Sequence, residues 1–324
     1  MMQLSRRQLL LGMAALAVPS AAFTQSYPSK PIHFILPDGP GGPNDLRARQ
    51  LAPKLSEYLG QPVIIDNRPG ASYILGTQAA AKALPDGYTI FMGSTVTHSL
   101  NPLLFNSLPY RPNEDFVPVT MVTAGPLMLA INANVPATNL KELIELSKAR
   151  PDQISYGVQG LGSPGHLVME QLKRETGAQF VMVPYKSTGG FIQDLIGGHL
   201  AVTLNYWSTL GPHVRAGKIR ALAVAAPRRL HVAPDIPTFA EAGVPGIECL
   251  AWQGIFVPAG TPSSIVSRLH VETARALNSP EIRSTFIETG AELGGNSPEE
   301  FAAMIRADQE KWRRLAAAVE LARQ

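Results

Sequence analysis

Short apolar runs alternate with longer amphipathic stretches along most of this chain. The runs Ile32 to Leu36 and Val63 to Ile65 have the length of buried strands, and apolar residues at helical spacing follow the first of them at Leu46, Leu51 and Leu55. Helices placed between short apolar strands are typical of a mostly parallel sheet that is covered on both faces. The pattern therefore predicts an α/β protein.

The alternation occurs in two blocks. The first block ends with a predicted strand over 89–92, and the second begins with a predicted strand over 127–131. The second block continues with strands over 154–158, 181–183, 201–204 and 220–224 and helices over 140–148, 167–176 and 192–196. After a strand over 254–258, a capping residue and a proline begin three further helices, at Thr261-Pro262, Ser279-Pro280 and Ser297-Pro298. A chain of 324 residues is long enough for two hydrophobic cores.

The N-terminus carries the pattern of an export signal. Arg6 and Arg7 precede an apolar run that reaches Val18, and small residues follow from Ser20 to Ala22. This predicts a signal peptide over residues 1–22, cleaved near Ala22. The arginine pair resembles a twin-arginine signal, and a general secretory signal is the alternative, because it also begins with basic residues. The apolar run is shorter than the ~20 residues that a membrane span needs, so the mature chain is expected to be soluble.

Composition argues against several classes of function. The full chain has 28 Lys and Arg against 25 Asp and Glu, and loss of Arg6 and Arg7 with the signal leaves 26 against 25, a net charge of +1. A near-neutral chain without a basic cluster gives no support for nucleic-acid binding. The single Cys249 excludes an internal disulfide and a multi-cysteine metal site. The seven His residues are scattered, so no metal and no cofactor is expected.

Three glycine-bearing turns each lie between a predicted strand and a predicted helix, over 40–45, 160–166 and 187–190. Glycine allows close approach of the backbone to a ligand, and the start of a helix supplies unpaired N–H groups and the positive end of the dipole. One such turn is most simply an ordinary connection. Three of them at successive strand ends predict a site for a carboxylate or phosphate, because ligands collect there in open α/β sheets.

The turn over 160–165 also matches the glycine pattern of dinucleotide-binding folds. That pattern expects an acidic residue about 20 positions later, where this chain has Pro184-Tyr185-Lys186. An exported nicotinamide-dependent oxidoreductase therefore stays only as an alternative. Ser163 lacks the spacing of a hydrolase nucleophile and is better explained, with Pro164, as a helix cap. We find no acid/base pair, so the sequence predicts recognition rather than catalysis.

Several segments together resemble the exported solute-binding proteins of tripartite tricarboxylate transporters, the Bug family. The likeness covers nearly the whole mature chain. It includes Asp66-Asn67-Arg68-Pro69-Gly70-Ala71 and Pro85-Asp86-Gly87-Tyr88-Thr89. The other segments that carry it are 27–32, 40–45, 156–164, 183–186, 194–198, 217–222, 237–243 and 258–262.

The resemblance implies a type II-like, two-lobed periplasmic-binding-protein fold, with two mixed sheets flanked by helices and a ligand cleft between the lobes. Lobe 1 is expected over 27–124 and 247–324, and lobe 2 over 125–246. The implied protein is a periplasmic monomer that closes by hinge motion over a small mono-, di- or tricarboxylate and delivers it to integral-membrane transporter subunits. A ligand sensor for a signalling kinase is a further alternative. The implied binding residues are Gly41, Gly42, Asn44, Ser72, Ser94, Thr95, Gly162, Ser163, Tyr185, Thr188, Gly189 and Asn205.

This chain departs from the family pattern at a few positions that bear on the ligand. Ser72-Tyr73 stands where the family usually has a second glycine pair, and Ser187 replaces a usual glycine. Acids are usual where Ala201 and Asn205 stand, and their loss favours a plain carboxylate over an amino acid. Trp207 is expected either to stack on an aromatic acid or to lie in the core. A valine at Gly162 is expected to occupy the space of the ligand carboxylate.

Overall fold

The computed structural model describes residues 27–185 and 188–319. The predicted signal peptide and residues Lys186 and Ser187 lie outside this part of the chain. The strands are β1 (Ile32–Leu36), β2 (Val63–Asn67), β3 (Thr89–Ser94), β4 (Phe116–Asn132), β5 (Ser155–Val158), β6 (Val181–Pro184), β7 (Val202–Tyr206), β8 (Ile219–Val224), β9 (Leu250–Pro258) and β10 (Glu292–Leu293).

The helices alternate with these strands through the first two thirds of the chain and then follow one another. They are α1 (Pro43–Leu59), α2 (Ile74–Ala81), α3 (Asn101–Leu104), α4 (Leu140–Ala149), α5 (Pro164–Thr176), α6 (Thr188–Gly197), α7 (Trp207–Arg215), α8 (Ser263–Leu277), α9 (Pro280–Glu288) and α10 (Pro298–Ala318), with a π-helical turn over Val96–Leu100 before α3. None of the helices in the described ranges is both long and apolar enough to cross a membrane.

The strands form two mixed sheets of similar design that share β4. In the first sheet β1 lies between β2 and β3 with all three parallel, and β9 joins β3 to β4 by antiparallel pairing. In the second sheet β5 lies between β6 and β7 with all three parallel, and β7 and β8 pair with β4 in antiparallel fashion. The predicted α/β fold with two mixed sheets flanked by helices is confirmed.

Strand β4 connects the two sheets through a change of partner. Its residues from Phe116 to Pro126 pair with β9, and those from Leu127 to Ile131 pair with β7. The change falls between Pro126 and Leu127, two residues from the boundary at 124/125 that the sequence predicted between the lobes. Where each lobe begins and ends stays a prediction.

Separate hydrophobic cores support the two sheets. Phe34, Ile90 and Ile255 lie in a core between the first sheet and the helices α1, α8 and α9. A second core contains Tyr156 and Leu204 of the second sheet and residues of α4 and α5. Complete burial of a large apolar side chain contributes about 1.5 to 3 kcal/mol, so each sheet is held by its own helices. The loops at the strand ends of the two sheets face a common cavity.

Of the three predicted caps near the C-terminus, only Ser297 is confirmed. Helices α8 and α9 do begin close to Thr261 and Ser279, but these hydroxyls donate to Pro258 O and Ala276 O instead of capping the helices. The Ser297 hydroxyl accepts a hydrogen bond from Glu300 N, and the Glu300 carboxylate accepts one from Ser297 N, a complete capping box at the start of α10. By contrast, the strand predicted over 127–131 is the last part of β4, which begins at Phe116. Pro118 and Pro126 interrupt the apolar pattern there, and hydrogen bonding to β9 nevertheless continues past both of them.

Candidate ligand-binding site

Loops from both sheets enclose a cavity of about 870 Å³, which we call the main cleft. From the first sheet come the loops that follow β1, β2 and β3, and from the second those that follow β5, β6 and β7. Ligands of open α/β sheets bind outside the carboxyl ends of the strands. The volume of the main cleft falls within the range of about 300 to 1,000 Å³ that is usual for small-molecule sites.

The main cleft gathers nearly all of the residues that the resemblance implied for binding. Thr188 is the first residue of α6, and its side chain lies outside the part of the chain that the structure describes. The implied residues that line it are Gly41, Gly42, Asn44, Ser72, Ser94, Thr95, Gly162, Ser163, Tyr185, Gly189 and Asn205. Their proximity supports the predicted site, and their contact with a ligand stays a prediction.

Four helices begin at the wall of the main cleft. Asn44 of α1, Tyr73 before α2, Gly165 of α5 and Gly189 of α6 all line it. Each helix start carries about half a positive charge from the aligned peptide dipoles. Since two of these helices come from each half of the molecule, their dipoles contribute partial positive charge from both sides of the cleft, which favours an anion.

The first glycine turn does not present bare amides, and that part of the expectation is wrong. Gly41 N donates to Asp45 Oδ2 at 2.8 Å, and Gly42 N donates to Gly39 O at 3.0 Å. Asn44 N donates to Asp38 Oδ2 at 2.9 Å. Asp38 therefore caps α1 from outside the helix, and two carboxylates of the protein itself occupy donors that were expected to bind a ligand.

The second turn is likewise closed by internal hydrogen bonds. Gly162 N donates to His166 Nδ1 at 2.9 Å, and the Ser163 hydroxyl donates to Gly160 O at 3.0 Å. Ser163 also accepts a hydrogen bond from His166 N, which confirms its expected role as the cap of α5. The loop is thereby rigid, and its contribution to an anion comes from the helix dipole rather than from the Gly162 amide.

Gly162 has a second structural role that the sequence did not indicate. Its φ is +70°, and a Cβ at this position would meet the Leu104 side chain at the end of α3. The turn of the second sheet thus packs directly against a helix of the first half. A valine here would collide with Leu104, which itself lines the main cleft, and the expectation that it would occupy the space of the ligand carboxylate stays a prediction.

Tyr185 and Asn205, which line the cleft from the second sheet, are both held by neighbours. The Tyr185 hydroxyl donates to Asp194 Oδ2 at 2.6 Å, and desolvation together with this carboxylate raises the pKa of Tyr185 to about 12. The Asn205 side chain turns back so that its Oδ1 accepts from Tyr206 N at 2.7 Å. These contacts leave the Tyr185 ring and the Asn205 amide nitrogen as the surfaces that a ligand can meet.

Ser94 lines the main cleft and carries a hydroxyl whose hydrogen-bonding capacity the described part of the protein does not use. Ser94 ends β3 and is only 6% exposed, and its Oγ has no hydrogen-bond partner among the described residues. The neighbouring Thr95 Oγ1 already accepts a hydrogen bond from Trp252 N at 2.9 Å. Because a buried hydroxyl without a partner is costly, a ligand acceptor at Ser94 would gain a hydrogen bond that the protein has not made internally.

Asp38 is a residue of the cleft that the sequence analysis missed. It is 3% exposed, its Oδ1 has no partner in the described part of the chain, and desolvation raises its pKa to about 7. The hydrogen bond from Asn44 N opposes this rise, whereas the charge of Asp45 adds to it. Apart from tyrosines, Asp38 is the only ionisable side chain among the described lining residues. Its position directly before the first glycine turn was the available signal.

The departure from glycine at Ser72-Tyr73 coincides with an unusual backbone conformation. Ala71, Ser72 and Tyr73 have φ values of 46°, 52° and 72°, so three successive non-glycine residues are left-handed. Such residues cost about 1 to 2 kcal/mol each, whereas glycine adopts this conformation freely. Asn101 Nδ2 supports the turn by donating to Ser72 O at 2.9 Å. Strained backbone of this kind clusters at functional sites.

The tryptophans do not offer the stacking surface that was considered for Trp207. Trp207 is 5% exposed and lines a smaller cavity instead of the main cleft. Trp252 does line the main cleft but is 2% exposed, and its Nε1 donates to Asp308 Oδ2 at 2.8 Å. Both rings therefore belong mainly to the packed interior.

His98 and His166 have structural roles. His98 is buried, its ring lies 3.9 Å from the Phe256 ring centroid in a stacked arrangement, and desolvation lowers the pKa of His98 to about 3. Desolvation also lowers the pKa of His166, which accepts from Gly162 N as a neutral ring. No group of three or more potential metal ligands occurs in residues 27–185 and 188–319.

Comparison with known proteins places this architecture in context. BugT of Bordetella pertussis is 36% identical over 305 residues, which cover 94% of this chain and 93% of that protein. Among solved structures, R. palustris Rpa4515 with adipate has a TM-score of 0.89 at 36% identity and covers 92% of this chain and 100% of its own. MatC from Rhodopseudomonas palustris with bound malate has a TM-score of 0.83 at 32% identity, covering 89% and 99%.

The periplasmic binding protein BugD has a TM-score of 0.86 at 30% identity and covers 92% of this chain and 100% of its own, which confirms the periplasmic-binding-protein fold. Residues 47–321 match the family model described as Tripartite tricarboxylate transporter family receptor. The chain belongs to the receptor family of tripartite tricarboxylate transporters, in which its relatives include the Bug proteins.

Proposed function

We propose that this protein is a periplasmic solute-binding protein that captures a small organic carboxylate in the main cleft and delivers it to the membrane subunits of a tripartite tricarboxylate transporter. The observation that carries the proposal is the cleft itself, at which four helices of two different sheets begin. The family supplies the transport role, and two related structures were solved with adipate and with malate.

The carboxylate is held by helix dipoles and side-chain donors rather than by bare glycine amides. Internal hydrogen bonds occupy the backbone amides of Gly41, Gly42, Asn44 and Gly162. The buried Ser94 hydroxyl, by contrast, has no hydrogen-bond partner among the described residues. A hydrogen bond to a charged group contributes about 1.5 to 3 kcal/mol. A few such bonds, added to the dipoles, are enough for micromolar binding after the costs of association.

The alternative functions receive less support. An oxidoreductase is not favoured by membership in a receptor family. A ligand sensor would share the main cleft and would differ only in its membrane partner.

The predicted signal peptide supports export, and the family supports a periplasmic location.

A thermal-shift screen of the mature protein tests the proposal. Aliphatic mono-, di- and tricarboxylates and aromatic acids, with adipate and malate among them, are expected to include at least one acid that raises the unfolding temperature in a saturable way. The corresponding amides and amines serve as controls. If no acid stabilises the protein, or if the purified protein absorbs in the near ultraviolet as a bound nicotinamide would, the proposal fails.

A matched pair of variants then locates the site. Ser94→Ala removes the unpartnered hydroxyl and is expected to weaken binding of the identified acid roughly 10- to 100-fold, the equivalent of one hydrogen bond to a charge. Ser284→Ala, on the exposed surface of α9, is the control and should bind as the wild type does. Equal affinities in the two variants by calorimetry would remove Ser94 from the site.

A further inference from the structure

A second cavity, of about 140 Å³, lies behind the main cleft where the two sheets join, and we call it the hinge cavity. Thr123 and Pro126 of β4 line it just before that strand changes partner. Arg47 of α1 lines it from the first half, and Trp207 and Ser208 line it from the start of α7. The hinge cavity therefore touches both halves at the point through which they are connected.

Arg47 is a buried cation without an acidic partner. Arg47 is only 7% exposed. Its guanidinium donates to two neutral oxygens, Gln50 Oε1 at 3.1 Å and Thr289 Oγ1 at 2.8 Å. Its Cζ lies 4.5 Å from the Phe286 ring centroid. No carboxylate forms an ion pair with Arg47 in the described ranges, and none lines the hinge cavity there. A buried charge normally has a counter-ion.

The other polar groups of the hinge cavity are also hydrogen-bond donors. Helix α7 begins there, and its N-cap residue Tyr206 forms no side-chain cap, so the dipole end is not neutralised by a side chain. Trp207 is 5% exposed, and its Nε1 has no hydrogen-bond partner among the residues that the structure places. A buried guanidinium and a helix start on one small cavity are complementary to an anion, and Trp207, which also lines the cavity, carries an N–H that is unpaired in the described ranges.

Burial has not removed the charge of Arg47. Desolvation lowers the pKa of Arg47 to about 10, so the side chain is cationic at neutral pH. A single buried water needs roughly 10 to 15 Å³ of cavity space, so the hinge cavity has room for a small oxyanion together with water.

We propose that the hinge cavity is a second anion site, which holds a small oxyanion such as phosphate or a free carboxylate between Arg47 and the start of α7. The ligand joins α1 to α7 and thereby steadies the two halves at their connection. This site is distinct from the main cleft, although Pro43, Tyr206 and Gln253 line both cavities. The inference does not depend on which solute the main cleft binds.

Equilibrium dialysis of the mature protein against inorganic phosphate, and separately against acetate, tests for the site directly. At least one of these ions is expected to bind in a saturable way with one equivalent per chain beyond any bound by the main cleft. Arg47→Met keeps the length of the side chain and removes its charge, and it should weaken that binding at least tenfold. Arg313→Met, at an exposed ion pair on α10, is the matched control.

Ser94→Ala distinguishes the two cavities, because it should leave binding at the hinge cavity unchanged while it weakens binding in the main cleft. Unfolding temperatures distinguish an arginine that binds an anion from one with only a structural role. In a zwitterionic buffer without added salt, Arg47→Met should be at least as stable as the wild type, and added phosphate or acetate should stabilise only the wild type. Absence of saturable binding of both ions to the wild type, or equal binding by Arg47→Met, would overturn the proposal.

Discussion

The Tyr73 hydroxyl lies 3.4 Å from Gln159 Oε1, in a hydrogen bond that joins the two halves of the molecule across the main cleft. Tyr73 precedes α2 in the first half, and Gln159 follows β5 of the second sheet. Both residues line the cleft, so the bond closes one side of it. Tyr73 is also one of the three left-handed residues, with a φ of 72°.

Tyr73→Phe is expected to speed ligand release while leaving the fold intact. The variant loses one hydrogen bond between the halves, worth about 1 kcal/mol, so the dissociation rate should rise roughly fivefold. Stopped-flow fluorescence with the identified carboxylate measures this rate. Tyr27→Phe is the control, since the Tyr27 hydroxyl donates to Gly87 O at 2.7 Å within the first half. Equal dissociation rates in the two variants would exclude a role of Tyr73 in closure.

Replacing a strained residue with glycine should stabilise the protein. Ser72→Gly keeps φ near 52° without the clash of a Cβ, and the free energy of unfolding is expected to rise by about 1 kcal/mol. Urea denaturation measures the gain. Ser107→Gly, in an exposed loop of ordinary φ, should instead be neutral or destabilising because glycine adds entropy to the unfolded chain. A loss of stability in Ser72→Gly would show that the left-handed turn carries no strain.

The contact between Gly162 and Leu104 predicts a mutation whose effect can be partly reversed. Gly162→Ala places a Cβ against Leu104 and forces a left-handed alanine, so it should displace the turn over 160–165 and weaken ligand binding at least tenfold. Leu104→Ala in the same chain removes the collision and should restore part of the affinity. Calorimetry on the single and double variants gives the coupling. Additive losses would mean that the two residues act independently.

The sequence was sufficient to predict which loops form the cleft but not how their hydrogen bonds are used. Strand ends and helix starts follow from periodicity and from capping residues such as Ser163 and Ser297, because these signals are local. The amides of Gly41 and Asn44 are taken by Asp45 and Asp38, and nothing in the spacing shows which acceptor a turn will choose.

Long-range pairing was the other feature that the sequence did not reveal. Strand β4 was recognised only over its last residues, because Pro118 and Pro126 suggest interruption and the pairing with β9 comes from more than a hundred residues away. The hinge cavity shows the same limit. In the sequence, Arg47 looks like an ordinary polar residue on the solvent-exposed face of an amphipathic helix. It is buried only because α1 packs against Phe286 and Thr289, which are distant in the chain.

Asp38 predicts that ligand affinity and stability both depend on pH. Its pKa is raised to about 7 in the folded protein, whereas an unfolded aspartate has a pKa near 3.9. Between these values the folded state binds more protons, so the stability contributed by protonated Asp38 is present at low pH and is lost as the pH rises through about 7. Asp45, paired with Arg49, and Tyr73 are the ionisable groups nearest to Asp38, and neither changes its charge near neutrality.

A carboxylate ligand should therefore bind more tightly to the protonated form, in which Asp38 is neutral and does not repel it. About nine tenths of the molecules carry this proton at roughly pH 6 and about one tenth at roughly pH 8, so affinity should fall about tenfold between them. Asp38→Asn preserves an acceptor for Asn44 N and removes the charge, and its affinity should be nearly constant over this range. Calorimetric titrations of both proteins at the two pH values make the comparison. An equal pH dependence in wild type and Asp38→Asn would show that another group is responsible, and tighter binding at the higher pH would show that an ionised Asp38 contacts a donor of the ligand.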